Sequence, residues 1–436
     1  MSFSNYLAKG IYQGYTYAYP HKMAYRQFEK KRSLQDVWAA ENTSHLFLYV
    51  HVPFCEARCG FCNLFSLAQP EDELVEAYLS GIIREIETYQ SELGQIRFSR
   101  VAIGGGTPSY LDIRQLEQLL KTCRSTTDTH EALPFSFEIN PSTITLEKAR
   151  LLKEFGVSRI SMGVQSFVEE EVQTLQRRQD VHDVCNTVRM LNEIEFPSCN
   201  LDLMYGIPGQ TRESWLSSLQ KACELDVSEI FLYPLYVRPL TGLGMTDYEW
   251  DDLRLELYRS GRDFLLEKGY SQLSMRAFSK KEEPTATPAY CCQEDGMIGI
   301  GPGARSYTRT LHYCTDYGVG RARVKDIIKG YSRKNNTSFR HINHGFLLNR
   351  DEQKRRYLLK SMLHTQGLVS EEYTQYLNAD VLSDFPQLRE LMELGYILQD
   401  SKRWQLTQSG LELSDVIGPY FYSEEINQLV AAYELS

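Results

Sequence analysis

Tyr49-Val-His51-Val-Pro53-Phe-Cys55-Glu-Ala-Arg-Cys59-Gly-Phe-Cys62 carries a β-rich run, residues 46–52, straight into a tight loop with three thiols. Five more β-rich runs follow, at 100–103, 135–139, 158–164, 199–204 and 229–235. Between them lie amphipathic stretches such as 72–92 and 111–123, whose apolar residues recur at helical spacing. Strands alternating with helices predict a parallel sheet with crossover helices. Six such units predict an α/β fold built on a partial (β/α)6 barrel.

The ends of these runs carry polar or side-chain-free residues. After the second comes Gly104-Gly105-Gly106-Thr107-Pro108, whose missing side chains allow a ligand close to the backbone. The third ends at Glu138, the fourth leads to Gln165, and the fifth carries Asp202. The carboxyl ends of barrel strands face one mouth, where barrel enzymes place their chemistry. Any one of these residues could be a cap or a turn former. Their repetition on successive strands is what points to a site.

The C-x3-C-x2-C loop supplies three thiolates, one short of the four irons of a [4Fe-4S] cube, and so leaves one iron open to a small molecule. A structural zinc site is the alternative. It would want a fourth Cys or His, and only His51 is close. The other seven cysteines include Cys123, Cys185 and Cys199 among apolar neighbours, which read as buried thiols, and the adjacent pair Cys291 and Cys292 in a loop.

Beyond the barrel, 250–269 reads as a helix, 271–278 as a strand extending the sheet, and the charged, proline-bearing 280–288 as a loop. The tail reads as helix, helix and short hairpin, a small winged-helix-like α+β domain. The expected division is an N-terminal arm over the barrel mouth (1–45), the barrel with its sheet extension (46–330), a linker (331–345) and the C-terminal domain (346–436).

Of 436 residues, 42% are hydrophobic and 24% charged, which suits a large core plus one smaller domain. A net charge of -10 and a pI near 5.5 argue against nucleic acid or an anionic membrane as the main partner. Residues 346–436 hold 8 Lys or Arg against 14 Asp or Glu, so the winged-helix-like tail is poorly suited to phosphate. There is no signal-like start and no apolar run long enough to span a bilayer, so a cytoplasmic protein is expected.

Taken together, these motifs resemble the oxygen-independent coproporphyrinogen III oxidase (HemN-like) family of radical S-adenosylmethionine (SAM) proteins, which includes HemW-type haem chaperones. The most specific pieces are Tyr49-x-His51-x-Pro53-Phe-Cys, Gly-Gly-Gly-Thr-Pro, Met-Gly-Val-Gln165-Ser-Phe and Asp202-Leu-Met-Tyr-Gly-Ile-Pro. The resemblance covers nearly the whole chain and implies a radical SAM barrel with a HemN-like C-terminal domain. It implies a [4Fe-4S] cluster on Cys55, Cys59 and Cys62, whose open iron chelates SAM. An electron then yields a 5'-deoxyadenosyl radical, the cofactors carrying the hard step. By motif position, the cluster-bound SAM would touch Tyr49, Gly105 and Glu138. A second SAM would lie against Phe61, Gly106, Thr107, Gln165, Arg178 and Asp202.

There are departures from the family pattern. Tyr15-Thr-Tyr-Ala-Tyr-Pro20 is similar to a stretch of the true decarboxylases, but their extra Cys after the third cluster Cys is missing from Cys62-Asn63-Leu64. Gly299-Ile-Gly-Pro-Gly-Ala-Arg305 matches the family's glycine-rich strand, with Arg305 in place of its usual residue. The resemblance implies a tetrapyrrole or another carboxylate-bearing substrate and a flavodoxin- or ferredoxin-type electron donor. His21, Lys22, Arg26 and Arg305 are the basic candidates for the acid groups. Methyl transfer or cyclopropane formation, with the second SAM as carbon donor, and haem delivery remain alternatives.

Overall fold

Residues 46–52 form strand β1 (Leu46–Val52), covered on both faces as a central parallel strand must be. Five strands follow it in sequence and in space: β2 (Phe98–Gly105), β3 (Phe135–Ile139), β4 (Arg159–Gln165), β5 (Ser198–Tyr205) and β6 (Glu229–Pro234). Each pairs in parallel with its predecessor. The expected six-unit partial barrel is therefore present. The computed structural model describes residues 2–126, 133–238, 241–245, 252–280, 290–315, 317–318 and 320–433. Apart from Lys280, the expected loop 280–288 lies outside the described residues, as does Trp250 at the start of the expected helix, which is described as Arg254–Glu267.

The crossover helices form where the sequence supplies an apolar stripe and a cap. In Asp72–Leu93, Leu74, Tyr78, Leu79, Ile82, Ile86 and Tyr89 recur at helical spacing and are buried. Asp112 opens Ile113–Ser125 with a capping box to Gln115, which satisfies amides the helix itself cannot.

The sheet extends past both ends of the barrel to 13 strands. The expected strand 271–278 is two short ones, Ser271–Gln272 and Ala277–Ser279, the second antiparallel to β6. At the other edge, Met297–Ile300 runs parallel to β1, followed by Arg305–Tyr307, Leu311–Cys314, His341–Leu347 and Arg26–Ser33. This corrects the linker expectation. Residues 331–345 hold the end of helix Arg321–Ser332, a helix at Asn336–Phe339 and most of a sheet strand. Phe339 and Ile342 are buried in the barrel core, which ties the polar stretch down.

The C-terminal part has the winged-helix order: helix Arg350–Met362, strand Leu368–Val369, helices Ser370–Leu377 and Leu388–Glu393, then the hairpin Ile397–Gln399 and Arg403–Leu406. Its separate apolar core also takes in Phe3, Tyr19 and Tyr25 of the N-terminal arm. A buried ion pair locks arm, barrel and tail together. Arg276 Nη2 lies 2.5 Å from Asp415 Oδ2, which also accepts the Tyr236 hydroxyl at 2.5 Å, while Gly14 N–H donates to the Asp415 carbonyl at 3.1 Å. Removing one partner strands a buried charge, so Asp415→Ala should cost about 3–5 kcal/mol. Chemical denaturation checks this. A loss no larger than that of Asp263→Ala, whose carboxylate is exposed, would contradict it. Among the described residues no helix is long and apolar enough to cross a membrane.

Candidate cluster and cofactor site

After β1 the chain enters a short strand, Phe54–Cys55, paired in parallel with Leu67–Ala68. Leu67 N–H donates to the Pro53 carbonyl at 2.7 Å and Gln69 N–H to the Cys55 carbonyl at 2.9 Å. The tip of the loop is pinned as well, by Gly60 N–H to the Leu175 carbonyl at 2.9 Å and Leu243 N–H to the Gly60 carbonyl at 2.8 Å. Cys55, Cys59 and Cys62 are thus presented on a fixed loop with free thiols, Cys55 buried and the other two partly exposed.

The glycine turn closes on this loop from below. Gly106 N–H donates to the Val52 carbonyl at 2.8 Å, and a Cβ on Gly106 would stand 2.8 Å from Phe54 O and 2.9 Å from Cys55 Sγ. Thr107 N–H donates to Phe54 O at 2.7 Å. Gly106→Ala must therefore push the Cys55 strand aside. We expect the reconstituted variant to hold less iron per chain than the parent; equal iron in a colorimetric assay would contradict this packing.

His51 is not free to act as a fourth ligand. Its Nε2 pairs with the Phe65 carbonyl at 2.8 Å and its Nδ1 with the Tyr49 hydroxyl at 3.2 Å. The ring fills the space left by Gly105 and Gly303, where added Cβ atoms would come within 2.6 Å and 2.7 Å of it. Burial pulls its pKa down to about 4, so the ring is neutral. Among the described residues, no three His, Cys, Asp or Glu side chains are grouped to hold a single metal ion. Three thiols with no fourth side chain fit a cube with one open iron better than a closed zinc site. Burial pushes the Cys55 thiol up to about 12. Metal binding is what would release such a proton.

Beside the thiols, Tyr49, Gly104, Gly105 and Glu138 converge. Glu138 Oε2 accepts the Gly105 N–H at 3.0 Å. A Cβ on Gly104 would stand 2.9 Å from that oxygen and 3.5 Å from the Tyr49 hydroxyl. Burial pushes Glu138 up to about 7, against the pull of the Gly105 hydrogen bond. Burial also raises Asp202, to about 6, against the Asn200 hydrogen bond. A cationic ligand nearby would restore both to their charged forms.

Further round the mouth, β4 carries a bulge between Gly163 and Gln165, and Gln165 adopts φ 68°, a left-handed conformation uncommon for a side chain of this kind. A Cβ on Gly163 would meet Gln165 Nε2 at 2.9 Å and Arg177 Nη2 at 3.6 Å, so Gln165 and Arg177 meet there. Arg177 Nη1 donates to Cys59 Sγ at 3.3 Å, and its Nη2 donates to the Gly163 carbonyl. The expectation for Arg178 is corrected by one residue. Arg178 is exposed, because the turn after Thr174 directs adjacent side chains apart, and Arg177 takes the inward place. Phe61 packs on Leu175, Met204, Ile207, Leu235 and Leu243, a small apolar cluster at the ends of β5 and β6.

Asn200 was not anticipated. Its Nδ2 donates to Asp202 Oδ1 at 2.7 Å and to Ser161 Oγ at 2.8 Å, while its Oδ1 is buried without a partner. The i, i+2 alternation of a strand was the signal that could have found it. Of the basic candidates, Arg305 and Lys22 face inward onto Tyr17 and Tyr317, and His21 lies against Tyr17. Arg26 drops out. It is spent on the carbonyls of Met23, Tyr25 and Leu429 at 2.7, 2.9 and 2.6 Å.

Comparison with known proteins agrees with this geometry. The model of the radical SAM superfamily matches residues 49–222, and that of the HemN C-terminal domain matches residues 348–413. The chain is 25% identical over 400 residues to the heme chaperone HemW of Haemophilus influenzae, covering 87% of this chain and 98% of that one. It is 26% identical over 428 residues to the oxygen-independent coproporphyrinogen III oxidase of Escherichia coli, covering 92% of each. The solved structure of coproporphyrinogen III oxidase (HemN) from Escherichia coli superposes with a TM-score of 0.81 at 24% identity, over 93% of this chain and 96% of that one, and shares its fold. A thiol loop after the first of six parallel strands, matched by one family model, and a winged-helix-like tail, matched by the other, show that the chain carries a radical SAM domain and a HemN C-terminal domain.

Proposed function

We propose that this chain is an enzyme that cleaves SAM at a [4Fe-4S] cluster on Cys55, Cys59 and Cys62 and acts on a tetrapyrrole or another carboxylate-bearing small molecule. The observation that carries the reading is the meeting of three free thiols on one pinned loop with Tyr49, Gly105 and Glu138. When bound, the cluster supplies the electron that breaks the SAM sulfonium bond, from a flavodoxin- or ferredoxin-type donor. The chain's own part is placement. Gly104 and Gly105 admit the cofactor to the backbone, and Glu138 offers a carboxylate to its ammonium group. Arg177 donates to the Cys59 sulfur and so helps fix that side chain at the mouth.

A second SAM fits the other half of the mouth. Phe61 offers an apolar surface, Gln165 and Asp202 offer hydrogen bonds, Asn200 has an unpaired acceptor, and Arg177 stands where Arg178 was expected. The likeness to heme chaperones supports a rival reading, haem delivery without substrate chemistry. Mass spectrometry of SAM products, with and without coproporphyrinogen, separates the cases. Decarboxylation gives carbon dioxide and no S-adenosylhomocysteine; methyl transfer must give S-adenosylhomocysteine. Stoichiometric haem binding with no substrate-dependent SAM cleavage would overturn the enzyme reading.

A further inference from the structure

The sheet extension beyond β1 gathers partly buried cations that no ion pair among the described residues neutralises. Antiparallel register pairs Arg305 with Cys314 and Tyr307 with His312, so these four side chains share one face. The Arg305 guanidinium lies 4.5 Å from the Tyr17 ring centre and 5.8 Å from that of Tyr307, and Arg356 lies 5.9 Å from Tyr307. Lys360 Nζ donates to the Tyr17 carbonyl at 3.3 Å, and Lys22 Nζ stands 3.1 Å above the Tyr317 ring. Among the described residues none of Lys22, Lys360 and Arg305 forms an ion pair with an Asp or Glu, and the strongest charges acting on them come from other cations, tyrosines and cysteines.

Polar atoms on the same face are stranded. Arg305 Nη1, the Tyr25 hydroxyl and both ring nitrogens of His312 are buried with no hydrogen-bond partner. His312 is only 1% exposed, and its ring centre lies 4.4 Å from that of Tyr307. Each such group carries a desolvation cost, which a fold tolerates where a ligand offsets it. Burial and the charges of Arg356 and Arg305 keep His312 neutral, so the ring offers one N–H and one acceptor nitrogen. The aromatic rings hold the guanidinium by its face and leave its edge, with the bidentate donors, for a ligand.

We infer that Arg305, Lys22 and Lys360 form an oxyanion subsite, with His312 and Tyr25 as neutral partners, that receives an acidic group of the substrate, carboxylate or phosphate. The inference rests on the proposed function only in assigning the oxyanion to the substrate. The subsite adjoins the cofactor side of the barrel, since Gly299 pairs in register with Tyr49 and a Cβ on Gly299 would stand 2.2 Å from the Arg305 carbonyl oxygen. Arg305 then sets specificity for an anionic substrate, and aromatic walls favour a flat body behind the acid group.

Thermal unfolding of the cluster-loaded full chain tests this without turnover. It is followed in an anion-poor buffer, then with citrate, inorganic phosphate, triethyl citrate, or sodium chloride at matched ionic strength. The parent should gain on the order of 1–2 °C from citrate or phosphate and nothing from the ester or the chloride. The more effective anion identifies the acid class. Arg305→Met and Lys22→Met, each relieved of a partly buried charge without an ion-pair partner, should be at least as stable as the parent without anion and lose most of the gain. Arg309→Gln, an exposed cation, should respond like the parent. An equal gain in all four proteins, or none in the parent, would overturn the subsite. Release of 5'-deoxyadenosine from SAM by the same samples reports separately on the functional reading.

Discussion

Cys59→Ala is expected to give a folded protein that holds no intact four-iron cluster and releases 5'-deoxyadenosine from SAM only at background level. Cys55→Ala and Cys62→Ala should behave alike. The Cys59 thiol is partly exposed, and its hydrogen bond is to Arg177, so little packing depends on it. Among the described residues no side chain stands ready to replace a lost thiolate, since His51 is committed to Phe65 and Tyr49. Anaerobic reconstitution followed by iron and sulfide assay and product chromatography reads both effects. Four irons per chain with full SAM cleavage in Cys59→Ala would remove the thiol loop from the mechanism.

Asp202→Ala is expected to separate SAM cleavage from substrate turnover. The side chain sits within β5, held by Asn200 and reached by the charges of Arg159 and Arg177. Glu138 and Gly105, on the cluster side, do not depend on it for their hydrogen bond. A charged hydrogen bond to a second SAM is worth about 1.5–3 kcal/mol, roughly a ten- to hundred-fold loss in affinity. Equilibrium dialysis should find two SAM per cluster in the parent and nearer one in Asp202→Ala and Gln165→Ala. Uncoupled formation of 5'-deoxyadenosine should persist while turnover of the real substrate stops. One SAM per cluster in the parent would end the two-SAM reading and shift weight toward haem delivery.

The barrel was legible because each strand and helix announces itself locally: buried runs of Val, Ile and Leu, capped stripes, and glycine turns at the strand ends. The thiol spacing and the polar strand ends identified the mouth for the same reason. Of the sheet extension, only the part beyond β6 was legible from the residues themselves. Arg305–Tyr307 has three residues and Met297–Ile300 four, too short for a periodic pattern; the second is held by pairing with distant β1, and the first by pairing with the second. Residues 341–345 read as part of a linker because Ile342, the one apolar side chain there, is flanked by polar ones; Ile342 and Phe346 lie on one face of a strand whose partner lies at 311–313. Arg177 and Arg178 could be told apart only by the direction of the turn that carries them. Arg26 and Arg305 looked equivalent in sequence, yet one is satisfied by three carbonyls and the other keeps a buried, unpaired Nη1.

The most direct measurement of the central claim is on the parent protein, reconstituted anaerobically with iron and sulfide, reduced and supplied with SAM. The account predicts about four irons and four sulfides per chain, as one open-sided cluster requires, with 5'-deoxyadenosine and methionine released in equal amounts. A protein that instead takes up one zinc tightly, holds no sulfide and leaves SAM intact would contradict it.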